Sequence, residues 1–282
     1  LFKSEEECVR YAESTAENVL SQPPFCFLKD TGAGSFTFSS LLNEAGIVAA
    51  EFYRQIADSA FTVWGAEKTF GGRGADFAGL TLLSGEHELQ LSGKIDRIDR
   101  GGDYVRVIDY KTGSIVEADA DSYYTGRKMQ LQLYMRAVSA YATPAGAYYF
   151  PARVAYAKKG EDYPFRMLGF SLADEEALKM SDTAMEKGEK SRYVNVTLGK
   201  SADKQMSGED FEPFIDYSRL AALSCAREIE KGCIAPSPYH EVCDYCPYGG
   251  VCGADAKKTA RKERTIKCAE IAKIVKRRRG ER

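Results

Sequence analysis

Several things are scarce in this 282-residue chain, and each absence narrows the field. No uninterrupted apolar run reaches the roughly 18–20 residues that a membrane-spanning helix needs, since the stretch Ala45–Phe52 is broken by Glu51. Eight cysteines are too few for a disulfide scaffold at this length. The amino end, Leu1-Phe2-Lys3-Ser4-Glu5, lacks an initiator Met and lacks a basic segment followed by an apolar one, so it reads as part of a longer, non-secreted chain. A Gly-x4-Gly-Lys-Ser/Thr pattern is also missing. The chain is therefore not read as an ATP-driven motor.

What remains is an ordinary globular composition, 44% hydrophobic and 28% charged, with two asymmetries. Five of the eight cysteines (Cys225, Cys233, Cys243, Cys246 and Cys252) fall in one short stretch, which favours a metal centre over disulfides in a chain without a signal peptide. The net charge of −2 conceals a basic end, residues 257–282, with 12 Lys or Arg against 3 Glu. A basic arm on an acidic body suits a polyanionic partner, although a solvated charged tail has the same composition.

Apolar periodicity predicts helices over Glu5–Leu20, closed by Pro23-Pro24, and from a Ser39 or Ser40 cap to about Ala60. The period then changes to that of strands over 61–70, 80–83, 88–98 and 104–110, a meander punctuated by Gly71-Gly72-Arg73-Gly74, Ser84-Gly85 and Gly101-Gly102. Further helices are expected over 123–142, 174–188 and 217–231, strands over 145–150 and 165–172, and a loop over 195–211. Strands before and after a helix imply an α/β sheet with helices on its faces. The expected organisation is a helical segment over 1–60, a core over 61–232, a cysteine-rich metal-binding segment over 233–256 and the basic arm over 257–282.

The stretch Gly93-Lys94-Ile95-Asp96-Arg97-Ile98-Asp99 followed by Asp109-Tyr110-Lys111-Thr112-Gly113 carries the chemistry. With Gly101-Gly102 as a two-residue loop, Asp96 faces Val107 and Lys94 faces Asp109. Asp96 and Asp109 then become diagonal neighbours on one face, about 7–8 Å apart, and Lys111 shares that face by alternation. Two carboxylates and an ammonium suit metal-assisted phosphodiester hydrolysis: the acids hold Mg²⁺ or Mn²⁺, and the lysine steadies the nucleophile or the charge of the phosphorane. A plain salt-bridge ladder would look similar. The apolar residues of both parities around it, Ile95, Ile98, Val105, Val107 and Ile108, point instead to a strand covered on both sides, where a buried carboxylate needs a partner. Gln130 and Tyr134, four apart, share a helical face and could bind a phosphate or order the metal site, a spacing that a plain packing helix also has.

Glu67-Lys68-Thr69-Phe70, the two hairpin strands and Gln130–Tyr134, in that order, resemble the PD-(D/E)XK nuclease superfamily, in particular its RecB-type modules and the AddB-type subunits of bacterial helicase-nucleases. The resemblance implies a restriction-endonuclease-like mixed sheet flanked by helices. It further implies Asp96 and Asp109 as metal ligands, Lys111 as catalytic lysine, and Gln130 and Tyr134 as an auxiliary motif. Glu67 matches an acidic position ahead of the hairpin. The implied activity is a Mg²⁺-dependent deoxyribonuclease in the bacterial cytoplasm, cutting single-stranded DNA unwound by an AddA-like partner in break repair and recombination. One feature departs from the family, which carries a histidine in a helix upstream of the sheet. The two histidines here, His87 and His240, lie elsewhere, and the chain is expected to begin downstream of that helix.

Cys243, Cys246 and Cys252 have the spacing C-x2-C-x5-C, a strong indication of a metal centre. In AddB-like nucleases such a trio binds a [4Fe-4S] cluster with one upstream cysteine; Cys8 and Cys26 lack the family's surrounding residues, which leaves the fourth ligand unassigned. Zinc, completed by His240 or by Cys233, is the competing assignment. Cys225 and Cys268 fall at helical positions and read as packing residues. A binding module of nuclease-like fold, gripping DNA and its partner without cleavage, stands as the alternative function. Loss of Asp109 or Lys111 would mark it, and both are present.

Overall fold

Ser4 accepts a hydrogen bond from the Glu7 amide and starts α1 (Glu5–Leu20), whose first turn is acidic, as a helix N-terminus favours. The computed structural model describes residues 2–84, 87–113, 115, 117–154, 163–254, 261 and 264–280, with the side chains of residues 83, 84, 87, 240 and 241 outside that description. The side chains of His87 and His240 therefore lie outside the described residues, as do residues 257–260, 262, 263, 281 and 282 of the basic arm.

The helix α2 (Gly32–Ala57) begins earlier than the expected serine cap, because Thr31 caps it by accepting from the Gly34 amide at 3.0 Å. Glycines at 32 and 34 masked that start. Strands β1 (Thr62–Phe70), β4 (Gly93–Gly101), β5 (Tyr104–Lys111), β6 (Thr143–Pro151), β7 (Leu168–Leu172) and β8 (Gln205–Met206) form one six-stranded mixed sheet in that order. Between β1 and β4, β2 (Leu80–Ser84) and β3 (His87–Leu91) pair only with each other. The single meander is thus corrected to a sheet and a separate ribbon.

Between β5 and the parallel strand β6 run α3 (Ala120–Tyr124) and α4 (Gln130–Val138). They replace the continuous helix expected over 123–142, and Gly126, with φ 78°, makes the break. The helix α5 (Glu175–Ser181) ends well before Gly188. The expected loop over 195–211 contains β8 and the start of α6 (Gly208–Glu230), which runs through Pro213 because Phe211, Phe214 and Ile215 are buried there. A short α7 (Gly249–Cys252) and α8 (Cys268–Arg279) follow. Within the basic segment, Cys268, Ile271, Ala272 and Val275 of α8 are buried and join the core with α6.

The sheet separates two apolar clusters. Ile98, Val105 and Val107 pack with Leu131, Met135, Phe214 and Ile271, while Ile108 packs with Tyr148, Phe150, Met167 and Val194. Covering both faces explains why β5 is apolar at both parities. Among the described residues no helix is long and apolar enough to cross a membrane.

Candidate active site

The β4–β5 turn sits one residue later than expected. Gly101 pairs with Tyr104 and Arg97 with Ile108, so Gly102 and Asp103 form the loop, and Gly102 takes a positive φ of 55° that suits glycine. Moving the loop by one residue changes every cross-strand partner by two. Face parity is therefore kept, and the continued register sets Asp96 opposite Asp109 rather than diagonal to it. Instead of extending the ladder, Asp96 Oδ2 accepts the Tyr110 amide at 2.9 Å.

Asp109 is 2% exposed. Its Oδ2 lies 2.5 Å from Lys111 Nζ, yet the contact lacks hydrogen-bond alignment, and the oxygen is buried with no donor directed at it. Burial pushes the Asp109 carboxyl above its ordinary range; Lys111 opposes that shift and Asp96 adds to it. Lys111 Nζ also donates to Gln130 Oε1 at 3.1 Å, and Gln130 Nε2 donates to the Tyr134 hydroxyl at 2.9 Å. The break at Gly126 starts α4 at Gln130, and so places this amide over the end of β5. Asp109, Lys111, Gln130 and Tyr134 thus form one chain of contacts, with Asp96 on the same face.

Glu67 stands apart. It has a positive φ of 54°, is exposed, and ion-pairs with Lys94. That pairing and the charge of Asp96 both hold the Lys94 ammonium above its ordinary range, Glu67 being the larger cause. Among the described residues no three His, Cys, Asp or Glu side chains converge into a ligand set. Two hard carboxylates with one buried oxygen lacking a donor nevertheless fit a divalent cation such as Mg²⁺, with Asp96 and Asp109 as the residues that would hold it.

Two tyrosines at the site escaped sequence reasoning. Tyr149, opposite Asp109 in the parallel register, lies with its ring centre 5.1 Å from Lys111 Nζ, and burial first and Asp109 second push its phenol up to about 12. Tyr110 gives its amide to Asp96 while its ring lies on the other face, beside Arg97. An apolar run announces burial only; neither contact has a local signal.

The cysteines behave differently. Cys243 and Cys246 are half-buried at a 3-10 turn (His240–Tyr245) and just after it, and Cys252 is exposed at the end of α7. All cysteines are free thiols, and in this arrangement the trio does not form a ligand set that fits a cluster or zinc. Cys268 is buried as expected, but Cys225 is exposed on α6, because that side of the helix faces an open cleft rather than the core.

A family profile described as the PD-(D/E)XK nuclease superfamily matches residues 6–253. AddB-type proteins, named as one of the subunits of an ATP-dependent helicase/deoxyribonuclease, are similar to this chain. Those from Clostridium perfringens, Desulforudis audaxviator and Bacillus velezensis show 28%, 28% and 29% identity over 90%, 95% and 77% of it. The aligned regions make up 24%, 26% and 21% of those proteins. The chain therefore spans about a quarter of the length of the curated relatives it matches.

Proposed function

The chain belongs to the PD-(D/E)XK nuclease superfamily, and from that premise we propose that it is the metal-dependent deoxyribonuclease domain of a helicase-nuclease. Its substrate would be single strands delivered by an AddA-like partner in break repair and recombination. The observation that carries this reading is Lys111, whose ammonium lies between Asp109 and Gln130 on the face that also bears Asp96.

Asp96 and Asp109 would hold Mg²⁺ or Mn²⁺, which when bound supplies Lewis-acid charge and a more acidic water. The rest belongs to the chain itself. Lys111, held by Asp109 and by the Gln130 amide, presents a fixed positive charge to a phosphate, where it stabilises the extra negative charge of the phosphorane and orients the incoming oxygen. Gln130, restrained by the Tyr134 hydroxyl, keeps the ammonium from swinging away. Tyr134 packs edge-on against Phe70 at 6.0 Å, which fixes the end of that relay. The apolar floor of Val107, Leu131 and Met135 lowers the local dielectric and strengthens each of these charges.

The spacing of Cys243, Cys246 and Cys252 supports a [4Fe-4S] cluster or zinc in the whole protein, the fourth ligand coming from outside the trio. No catalytic step depends on it. The deciding experiment is cleavage of end-labelled single-stranded DNA with Mg²⁺ or Mn²⁺ by the unmodified chain, Asp109→Ala and Lys111→Ala, alongside iron, sulfide and zinc content. Cleavage lost in both variants supports the nuclease reading; cleavage that survives in both sinks this assignment of the site.

A further inference from the structure

A second concave surface lies away from the hairpin. It is a cleft of about 580 Å³ walled by α3, α6, α8, Tyr239 and Arg261, with Tyr124, Tyr217, Arg264 and Arg278 also in its lining. Glu228 is the one acidic residue among its described lining residues. The three arginines are exposed and belong to the basic stretch 257–282 that the hairpin chemistry leaves unexplained.

Two of the arginines are held in place. Arg264 lies over the Tyr124 ring at 5.3 Å and donates to that tyrosine's hydroxyl at 3.0 Å. Arg261 lies over Tyr239 at 5.9 Å and donates to Ser237 Oγ at 2.7 Å. Tyr124 in turn stacks on Tyr217 at 6.0 Å with the planes 17° apart, and the Tyr217 hydroxyl donates to the Tyr124 carbonyl at 2.8 Å. A guanidinium laid on an aromatic face has already lost much of its rotamer freedom and still has donors left over, which is what a phosphate-binding fork needs. The cleft is also tied to the hairpin along the chain. Its lining residue Thr125 leads through the Gly126 break directly to Gln130, which holds Lys111.

We propose that this cleft is a second, non-catalytic contact for single-stranded DNA, in which Arg261, Arg264 and Arg278 bind successive backbone phosphates of the strand whose cleavage takes place at Lys111. The assignment rests on the nuclease reading for its substrate, but binding tests it separately from cleavage. Fixed cations track a flexible backbone without sequence preference, while the walls are too polar for an apolar peptide.

The test uses the whole chain without divalent metal and a labelled oligothymidylate of about 16 nucleotides, the upper end of one single-strand site. Replacing the three arginines (Arg261→Gln, Arg264→Gln, Arg278→Gln) is expected to weaken binding at least roughly tenfold and to flatten the log affinity against log salt plot by about 2, near 0.7 for each lost phosphate contact. Hydrolysis of thymidine 5′-(p-nitrophenyl) phosphate with Mn²⁺, a substrate too short to span both places, is expected to be unchanged in the same variant. A second measurement needs no substitution: oligothymidylate should slow maleimide labelling of Cys225, which lines the cleft, several-fold, and leave exposed Cys26 unaffected. Unchanged affinity and salt slope, unchanged Cys225 labelling, or protection by blunt duplex but not by single strand would each overturn the proposal. If no form of the chain cleaves either substrate while the arginines and Cys225 still report binding, the nuclease reading fails and the cleft stands.

Discussion

The β4–β5 hairpin has two faces, and each carries a buried carboxylate with basic partners, yet they are built for opposite ends. On the face toward α2, Asp99 is fully buried and saturated: Arg97 donates to both oxygens at 2.6 Å and Arg106 donates to Oδ2 at 2.9 Å. Arg97 is itself held by Gln55 at 2.9 Å, and Arg106 lies over the Phe61 ring at 4.5 Å. On the face toward α4, Asp109 is almost as buried but has a single, misaligned ammonium and a second carboxylate close by. On the Asp99 face both carboxylate oxygens are taken, although the two terminal nitrogens of Arg106 are buried there without a hydrogen-bond partner. The open face leaves a buried oxygen of Asp109 without a hydrogen-bond donor, which is the feature the proposed metal site would use.

Removing the charge from each face should separate the two roles. The largest expected effect is on cleavage: Asp109→Ala and Lys111→Ala should each lower single-strand cleavage by about 10²–10³ or more, the scale for losing one preorganised electrostatic group, as read from initial rates on end-labelled DNA. Asp99→Ala should act on folding instead. It leaves two buried guanidiniums without their carboxylate and should cost roughly 3–5 kcal/mol in denaturant unfolding, the scale for breaking a buried ion pair. If Asp109→Asn proves as destabilising as Asp99→Asn in the same titration, the two faces are not different in kind.

Gln130→Ala is a finer probe of the open face. Lys111 would keep Asp109 but lose its second restraint, and cleavage should fall about tenfold with little change in melting temperature, the effect of modest misplacement of one group. A Gln130→Ala variant with full activity would show that the relay to Tyr134 is packing only.

The smallest expected effect concerns a saturated carboxylate far from the hairpin. Burial alone would raise Asp216, but Arg279 and Arg219 hold its carboxyl below the ordinary range. Its folded value is therefore depressed relative to the unfolded one, so its contribution to stability is complete above about pH 4 and fades as the pH falls through the folded value. Asp216→Asn should remove that part of the acid loss and leave the profile above pH 5 parallel to the parent's, as followed by thermal unfolding across pH.

The hairpin could be read from the sequence because strand alternation is local. Asp96, Asp109 and Lys111 share a face whichever of two adjacent turns closes the hairpin, since the change in pairing is an even number of residues. Gln130 and Tyr134 were also visible, as an i, i+4 pair, but their meeting with Lys111 depended on a helix break that the apolar pattern over 123–142 concealed. The α2 start and the run of α6 through Pro213 went unread for a related reason: glycine and proline are local breakers, overridden at α2 by the Thr31 cap and at α6 by burial of Phe211, Phe214 and Ile215.

Composition and periodicity by themselves determined the mixed α/β class, the doubly covered central strands and the three charged groups on one face of the hairpin, because each follows from residue type and a period of two. Only the tertiary structure decided how the basic partners of each carboxylate are held: Asp99 is bonded by Arg97 and Arg106 of its own hairpin, with Arg97 fixed by Gln55 of α2, whereas Lys111 beside Asp109 is fixed by Gln130 of α4. It also decided that Glu67 faces Lys94, that Cys225 faces a cleft and that α8 is folded into the core. Such choices depend on residues far apart in the chain, and no local spacing records them.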